Sequence, residues 1–182
     1  MKTSEKYKAL INNVAAPLKK LEFIKDRYRF YLYQNSNWGV VDFQKSVKSN
    51  SDTIVFAVNI GVASGRLLEK FSSIHQGKKP AIWNCHWRIR LGHLVDHKDT
   101  WWSIDNETSI DYLSKQISDY ILLLGIPEMN KYITDEALRD LWLSGKSPSL
   151  TETERLEYLL ALVREIGPSN AVAAIESDIR SK

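Results

Sequence analysis

Residues 53–62 read Thr-Ile-Val-Phe-Ala-Val-Asn-Ile-Gly-Val, and this stretch is apolar on both of the faces that alternate along a strand. A strand of this kind is covered on both sides, so the stretch predicts the central strand of a sheet. The five residues before it, Lys-Ser-Asn-Ser-Asp, are typical of a turn. The rest of the fold is therefore expected to assemble around this strand.

Two further strands precede the central one. Residues 27–33 are rich in aromatic side chains that alternate with arginine, and residues 38–47 also alternate in the manner of a strand. Gln-Asn-Ser-Asn at 34–37 predicts the turn between them. Three strands joined by short turns predict an antiparallel meander.

The chain after the central strand predicts a short helix and two more strands. Residues 65–74 favour the helix, and residues 76–80 form a polar loop. Residues 83–91, Trp-Asn-Cys-His-Trp-Arg-Ile-Arg-Leu, alternate as a fourth strand. A loop at 92–100 and a short last strand at 101–105 are expected to follow.

Helical patterns stand at both ends of the chain. Apolar residues recur at helical spacing from Leu10 to Leu21, with a kink or restart expected at Pro17. A second helix is expected from Thr108 or Ser109 to Leu124, and helices at 134–143, 151–167 and from Pro168 onward follow.

The predicted fold class is α+β: an antiparallel sheet of about five strands, with an N-terminal helix and C-terminal helices packed on one face. Residues 1–126 are expected to form the main domain, and residues 127–182 a helical extension.

Charge is distributed unevenly along a chain whose formal net charge is +3. Residues 1–100 carry 17 Lys and Arg against 8 Asp and Glu, whereas residues 101–182 carry 8 against 14. Two halves of opposite sign either attract each other or present a basic binding face. The only cysteine, Cys85, excludes an internal disulfide, and no apolar run approaches the roughly 18 residues of a membrane span. We therefore expect a cytoplasmic protein that does not enter a membrane.

Several phrases resemble a known family. They are Leu-Glu-Phe at 21–23, Trp-Gly-Val-Val-Asp-Phe-Gln-Lys-Ser at 38–46, Val-Asn-Ile-Gly at 58–61, Trp-Arg-Ile-Arg-Leu-Gly at 87–92 and Trp-Trp at 101–102. Over residues 5–127 the chain looks like the bacterial domain of unknown function 4304. The resemblance supports the boundary of the main domain and implies no activity. Glu22 stands where that family's Leu-Gly-Phe turn has glycine.

Polar side chains inside the apolar strands mark the candidate site: Asp42, Gln44, Asn59, Arg88 and Arg90. If neighbouring strands align them, they form one polar cluster. One interpretation is an internal network in which Arg88 or Arg90 pairs with Asp42, capped by Gln44 and Asn59. The other is a groove for an anionic ligand or a partner's acidic side chains, with Trp38, Trp87 or Trp102 as a flat wall.

Catalytic patterns find no support in the sequence. Cys85 and His86 would point to opposite faces of a strand, so they cannot act as nucleophile and base, and Cys85 is expected to be buried. The loop with His93, Asp96, His97 and Asp99 is expected to be solvated rather than to bind a metal. No phosphate loop or Gly-x-Ser-x-Gly elbow is present. No cofactor is expected, and enzyme activity is disfavoured.

The function expected from these observations is non-catalytic partner binding, as in an immunity protein or antitoxin that neutralises a basic toxin. The acidic residues offered to such a partner are Asp135, Glu136, Asp140, Glu152, Glu154 and Glu157. A small anionic-ligand or enzymatic domain centred on Arg88 and Arg90 is the alternative. Single-stranded nucleic acid is a further alternative, suggested by Arg27, Arg29, Tyr31 and Tyr33. It is disfavoured because the pI of about 8.9 is modest and the C-terminal half is acidic.

Overall fold

The computed structural model describes residues 1–72, 74 and 77–181. Within them, six strands form one antiparallel sheet: β1 (Ile24–Asp26), β2 (Arg29–Gln34), β3 (Asn37–Lys45), β4 (Ile54–Ala63), β5 (Trp87–Arg90) and β6 (Trp102–Ile104). The helices are α1 (Thr3–Lys19), α2 (Gly65–Phe71), α3 (Leu91–Asp96), α4 (Ile110–Tyr120), α5 (Ile126–Asn130), α6 (Asp135–Leu143), α7 (Glu152–Ile166) and α8 (Val172–Arg180). The predicted fold class is confirmed, with one strand more than expected.

The predicted central strand is confirmed as β4. Its burial is nearly continuous along both faces, and it pairs with β3 on one side. On the other side, β5 pairs with its second half and β6 with its first half. The meander of β2, β3 and β4 is also as predicted, and β1 extends it by pairing with β2.

The tryptophan-rich segment differs most from its prediction. The fourth strand is only the four residues of β5, because Ile82–Asn84 form a 3₁₀ turn instead. The predicted loop at 92–100 begins with α3, which starts at Leu91 and ends at Asp96. Gly92 is enclosed there: a Cβ on it would lie 2.6 Å from the Thr100 backbone nitrogen. The predicted loop at 76–80 begins at Gln76, which lies outside the described residues.

The first helix continues through Pro17 and ends two residues later, so Leu21 lies beyond it. Glu22 then adopts a φ of +65°. The Phe23 N–H donates to the Leu18 carbonyl at 3.2 Å, which closes the helix end. This left-handed geometry favours glycine, so the glycine expected here from the resemblance would fit the turn with less strain than Glu22.

The helix that was expected to stop at Leu124 does not stop there. A π-helical turn, Ile121–Gly125, joins α4 directly to α5, and Pro127, which has no backbone N–H to donate, is the second residue of α5. Gly125 lets this turn approach β4, because a Cβ there would lie 3.1 Å from Ile60 Cδ1. The division at residue 126 stays a prediction, and the helical path is continuous across it.

The segment after α5 is attached to the sheet by Asn37, which is 1% exposed. Its Nδ2 donates to the Ile133 carbonyl at 2.9 Å and to Asp135 Oδ1 at 3.1 Å, while its Oδ1 accepts the Gly65 N–H. Nearby, Met129 packs over Gly39, where a Cβ would lie only 2.6 Å from Sδ.

One face of the sheet carries the main core. Phe30, Val41, Phe43 and Ile60 lie on this face and pack with side chains of α1 and α4. The opposite face is covered only in part, and the polar residues predicted as a site lie there. Within the described part of the chain, no helix combines the length and apolar character needed to cross a membrane.

Candidate functional site

The strand register places three of the predicted polar residues, together with Arg29, in one row across the sheet. Arg29 on β2 faces Asp42 on β3, Asp42 faces Asn59 on β4, and Asn59 faces Arg90 on β5. Directly paired residues on neighbouring strands have adjacent side chains, so this row crosses four strands on the partly covered face. The alignment that the sequence could only suppose is therefore present.

Half of this sheet face is filled by apolar side chains, and we call it the closed end. Tyr31, Trp38, Val40 and Ala63 pack there with Leu68 of α2 and with Cys85. Gly61 makes room for this cover, since a Cβ there would lie 2.7 Å from Cys85 Sγ.

The other half, which we call the open end, carries Asp42, Gln44, Asn59 and Arg90. A cleft of about 1300 Å³ lies over it. Its rim comes from the β1–β2 turn, from Trp83 and from Pro148 and Ser149. The uncovered half of the sheet thus forms the floor of a concave site.

Asp42 is held by Arg29, a partner that was not among the residues predicted for it. Arg29 Nε donates to Asp42 Oδ1 at 2.5 Å, and Asn59 Nδ2 donates to Asp42 Oδ2 at 3.3 Å. Asn59 Nδ2 also donates to Gln44 Oε1 at 3.1 Å. The expected network around Asp42 exists, but the expectation that Arg88 or Arg90 pairs with it is wrong. The pKa of Arg29 is raised, with burial opposing the shift and the Asp42 carboxylate driving it.

Arg90 has a carboxylate of its own. Its Nη1 donates to both oxygens of Asp99, at 2.5 and 2.6 Å, and its guanidinium lies 4.6 Å from the centre of the Trp101 ring. Trp101 Nε1 also donates to Asp99 at 3.2 Å. The bond from Arg90 holds the pKa of Asp99 below its ordinary value. Arg90 and Asp99 line the cleft, and Trp101 holds Asp99 in place from beside it.

Arg88 differs from both other arginines, because the side-chain contacts that it makes with the described residues are to neutral oxygens. Nη1 donates to the Trp83 carbonyl at 3.1 Å, and Nη2 lies 3.5 Å from the Ser149 carbonyl oxygen. Across the described residues it forms no salt bridge. The charge of Arg88 acts on the carboxylate of Glu154, which is hydrogen-bonded to Thr151. The pKa of Glu154 is lowered mainly by the bonds from Thr151 and least by Arg88.

None of the three tryptophans predicted as a flat wall lines the cleft. Trp38 shares the sheet face with Asp42, but it lies at the closed end, 4.7 Å from Tyr33 between ring centres. Trp102 pairs with Phe56 on the core side, so its ring packs in the main core. Trp87 is also buried there. The tryptophan that lines the cleft is Trp83, whose side chain is 67% exposed.

The remaining candidate residues have structural settings. Cys85 is buried as predicted, and burial raises the pKa of its thiol. His86 is 4% exposed, its Nδ1 accepts the Ser64 N–H at 3.0 Å, and burial lowers its pKa to about 4. Both precede β5, so the argument from opposite strand faces does not apply to them. No group of three or more metal-ligating side chains occurs in residues 1–72, 74 and 77–181.

Most of the acidic residues proposed to meet a toxin are engaged within the protein. Asp135 accepts from Asn37 and pairs with Arg66, and Glu154 completes the capping box of α7. Asp140 pairs with Arg139, and Glu152 with Arg155. Glu136 and Glu157 are exposed. Partner neutralisation by this surface stays a prediction.

Comparison with known proteins places the chain in a family without giving it an activity. A search of curated proteins and a search of solved structures each found no match. The model of one family, described as Domain of unknown function (DUF4304), matches residues 14–122. That segment contains the end of α1, the whole sheet and α4, and hence most of the cleft. Since the match covers more than half of the chain, the protein belongs to the DUF4304 family.

Proposed function

We propose that this protein binds an anionic ligand in the cleft over the open end of the sheet, with Arg88 as the principal anion-binding residue. The observation that carries the proposal is the difference between three neighbouring arginines. Arg29 and Arg90 form salt bridges with Asp42 and Asp99. Arg88 forms no salt bridge with a described residue, and it lines the cleft. A guanidinium with neutral contacts and access to a cleft is suited to a carboxylate or phosphate group.

Other features of the cleft support the same proposal. Arg27 and Lys45 also line it and form no ion pair among the described residues. The three lining carboxylates Asp26, Asp42 and Asp99 each have a cationic partner. The cleft therefore has an excess of positive charge, which attracts an anion.

The proposal is binding rather than catalysis. Pairing with a cation makes a carboxylate a weaker base, and Asp99 shows this as a lowered pKa. Ser149 Oγ accepts the Arg88 N–H and is not bonded to a described histidine. We further propose that the protein acts in the cytoplasm, a setting that the single buried thiol of Cys85 supports.

Isothermal titration calorimetry with inorganic pyrophosphate and with citrate tests the proposal. We expect at least one of these anions to bind the wild-type protein, and the Arg88→Gln variant to bind it at least about tenfold more weakly, a loss of about 1.4 kcal/mol. The matched control is Arg180→Gln, which removes an exposed arginine of α8 far along the chain from the cleft. Unchanged affinity in Arg88→Gln, or no binding of either anion to the wild type, would overturn the proposal.

A further inference from the structure

A second cavity of about 280 Å³ adjoins the cleft and is also basic. It is lined by Lys8, Ile11, Asn12, Lys25, Arg27 and Tyr28. Its three cations have no carboxylate among these lining residues, and none forms an ion pair in the described part of the chain. Arg27 and Tyr28 line both cavities, so the two spaces lie on either side of these residues.

Arg27 is held at this junction in an unusual backbone conformation. Asp26 at the end of β1 lies opposite Arg29 at the start of β2 in the strand register. Arg27 and Tyr28 therefore form the two-residue turn between these strands. The φ of Arg27 is +54°, in the left-handed region that a long side chain rarely adopts. Residues strained in this way collect at functional sites. Here the turn places a free cation between two cavities.

Two exposed aromatic rings accompany the cations. The Tyr28 side chain is 41% exposed and stacks on Tyr7, with ring centres 5.4 Å apart and planes inclined by 28°. Trp83 is 67% exposed, and the Arg29 guanidinium lies 5.4 Å from its ring centre. Each ring is therefore backed by the protein and still accessible to a flat partner.

We propose that the anionic ligand is a single-stranded nucleic acid, which runs from the Lys8 and Lys25 cavity across Arg27 into the cleft. Single strands bind where a basic groove follows the backbone and aromatic rings stack on unpaired bases. Both elements are present here, and the combined cavities exceed the usual volume of a small-ligand pocket. This inference rests on the proposed anion-binding cleft and names the ligand that the cleft takes.

The residues involved are not those that the sequence suggested for nucleic acid. Arg29 is neutralised by Asp42, and Tyr31 is 3% exposed. Tyr33 packs against Trp38 at the closed end. Of the alternating strand face at 27–33, Arg27 alone remains as a free cation. The proposed path instead uses the turn beside it, the Trp83 segment and Arg88.

Fluorescence anisotropy with a labelled oligothymidylate of about ten nucleotides tests this inference at low salt. We expect the single strand to bind at least about tenfold more tightly than a duplex of the same length, because a duplex offers no unpaired bases. Trp83→Ala and Tyr28→Ala should each weaken binding by about tenfold. Lys25→Gln should reduce the salt slope by about one. Tyr112→Ala is the control, since Tyr112 is 70% exposed on α4 and lines neither cavity.

Three outcomes would overturn the inference. They are no binding of the oligonucleotide, equal binding of the duplex, and affinity that does not change in the Trp83 and Tyr28 variants. If pyrophosphate or citrate still binds through Arg88 in any of these cases, the anion-binding function stands and only its ligand class is wrong. If neither the anions nor the oligonucleotide depends on Arg88, both proposals fail.

Discussion

The closed and open ends of one sheet face are built from the same strands, yet they differ in what lies above them. At the closed end, Trp38 and Ala63 meet Leu68 and Cys85, and water is excluded. At the open end, Asn59 and Asp42 are buried by their neighbours in the sheet and by each other, and a cleft lies above them. A polar side chain on this sheet face can therefore be buried without a covering helix. A row of mutually bonded side chains achieves it, and leaves space for a ligand.

The largest expected effect is a loss of stability at the closed end. Trp38→Ala should lower the free energy of unfolding by about 3–5 kcal/mol, because the buried indole leaves a void beside Tyr31 and Tyr33. Chemical denaturation followed by circular dichroism measures the change. The matched variant is Trp83→Ala at the exposed rim, for which we expect a change within about 1 kcal/mol. Equal losses in the two variants would show that the ends do not differ in packing.

The next effect depends on pH and concerns His86, the buried neighbour of Cys85, whose ring packs against Tyr158. The folded protein keeps His86 neutral, with a pKa of about 4, whereas the unfolded chain binds a proton near the ordinary value of 6.5. Between these values the unfolded state binds more protons than the folded state. The contribution of neutral His86 to the free energy of unfolding is therefore complete above about pH 6.5 and is lost as the pH drops toward 4. At about 1.4 kcal/mol per pKa unit, the loss approaches about 3 kcal/mol.

Denaturation curves from pH 7 to 4.5 measure this loss, and His86→Asn is the reference, since its side-chain oxygen can still accept the Ser64 N–H. We expect the variant to have a flatter pH profile than the wild type. A His86→Asn profile as steep as that of the wild type would contradict the assignment to His86.

A smaller effect is expected at the open end. Asp42→Ala removes the acceptor of Arg29 Nε and Asn59 Nδ2, so we expect a loss of about 1–3 kcal/mol in unfolding free energy. Asp26→Ala is the control, because its pair with Lys79 is exposed and should contribute at most about 1 kcal/mol. If Asp42→Ala cost no more than Asp26→Ala, the row would not be what buries these polar groups.

The smallest effect on stability is expected at the edge of the polar row. Gln44 is exposed at the edge of the row and accepts one bond from Asn59. Gln44→Ala should change the unfolding free energy by no more than about 0.5 kcal/mol. Thermal denaturation measures this, and a loss as large as that in Asp42→Ala would place Gln44 within the structural network.

The sequence allowed the central strand and the meander to be predicted, because continuous burial and turn chemistry are local signals. The partner of Asp42 also had a signal. A two-residue loop at Asn35 and Ser36 sets the register that places Arg29 opposite Asp42. The predicted turn at 34–37 contained this loop, but its length was not used to fix the register.

Other parts of the site had no local signal. The face of Trp102 depends on β6 pairing with Phe56 of β4, and this contact spans more than forty residues of chain. Trp83 was assigned to a strand by alternation, although the chain turns there before β5 begins. The cleft depends on which half of the sheet remains uncovered, and this follows from where α2 and the segment before β5 pack rather than from any pattern within the strands.

The contact between Gly39 and Met129 has a consequence for relatives of this chain. Gly39 lies within the family match, whereas Met129 follows it, so one side of a tight contact is outside the shared segment. In a relative whose chain diverges after the fourth helix, another side chain must fill the depression above this glycine. The residue at position 39 is therefore expected to co-vary with the sequence that follows the match, and larger residues should be found there only where the space is otherwise vacant.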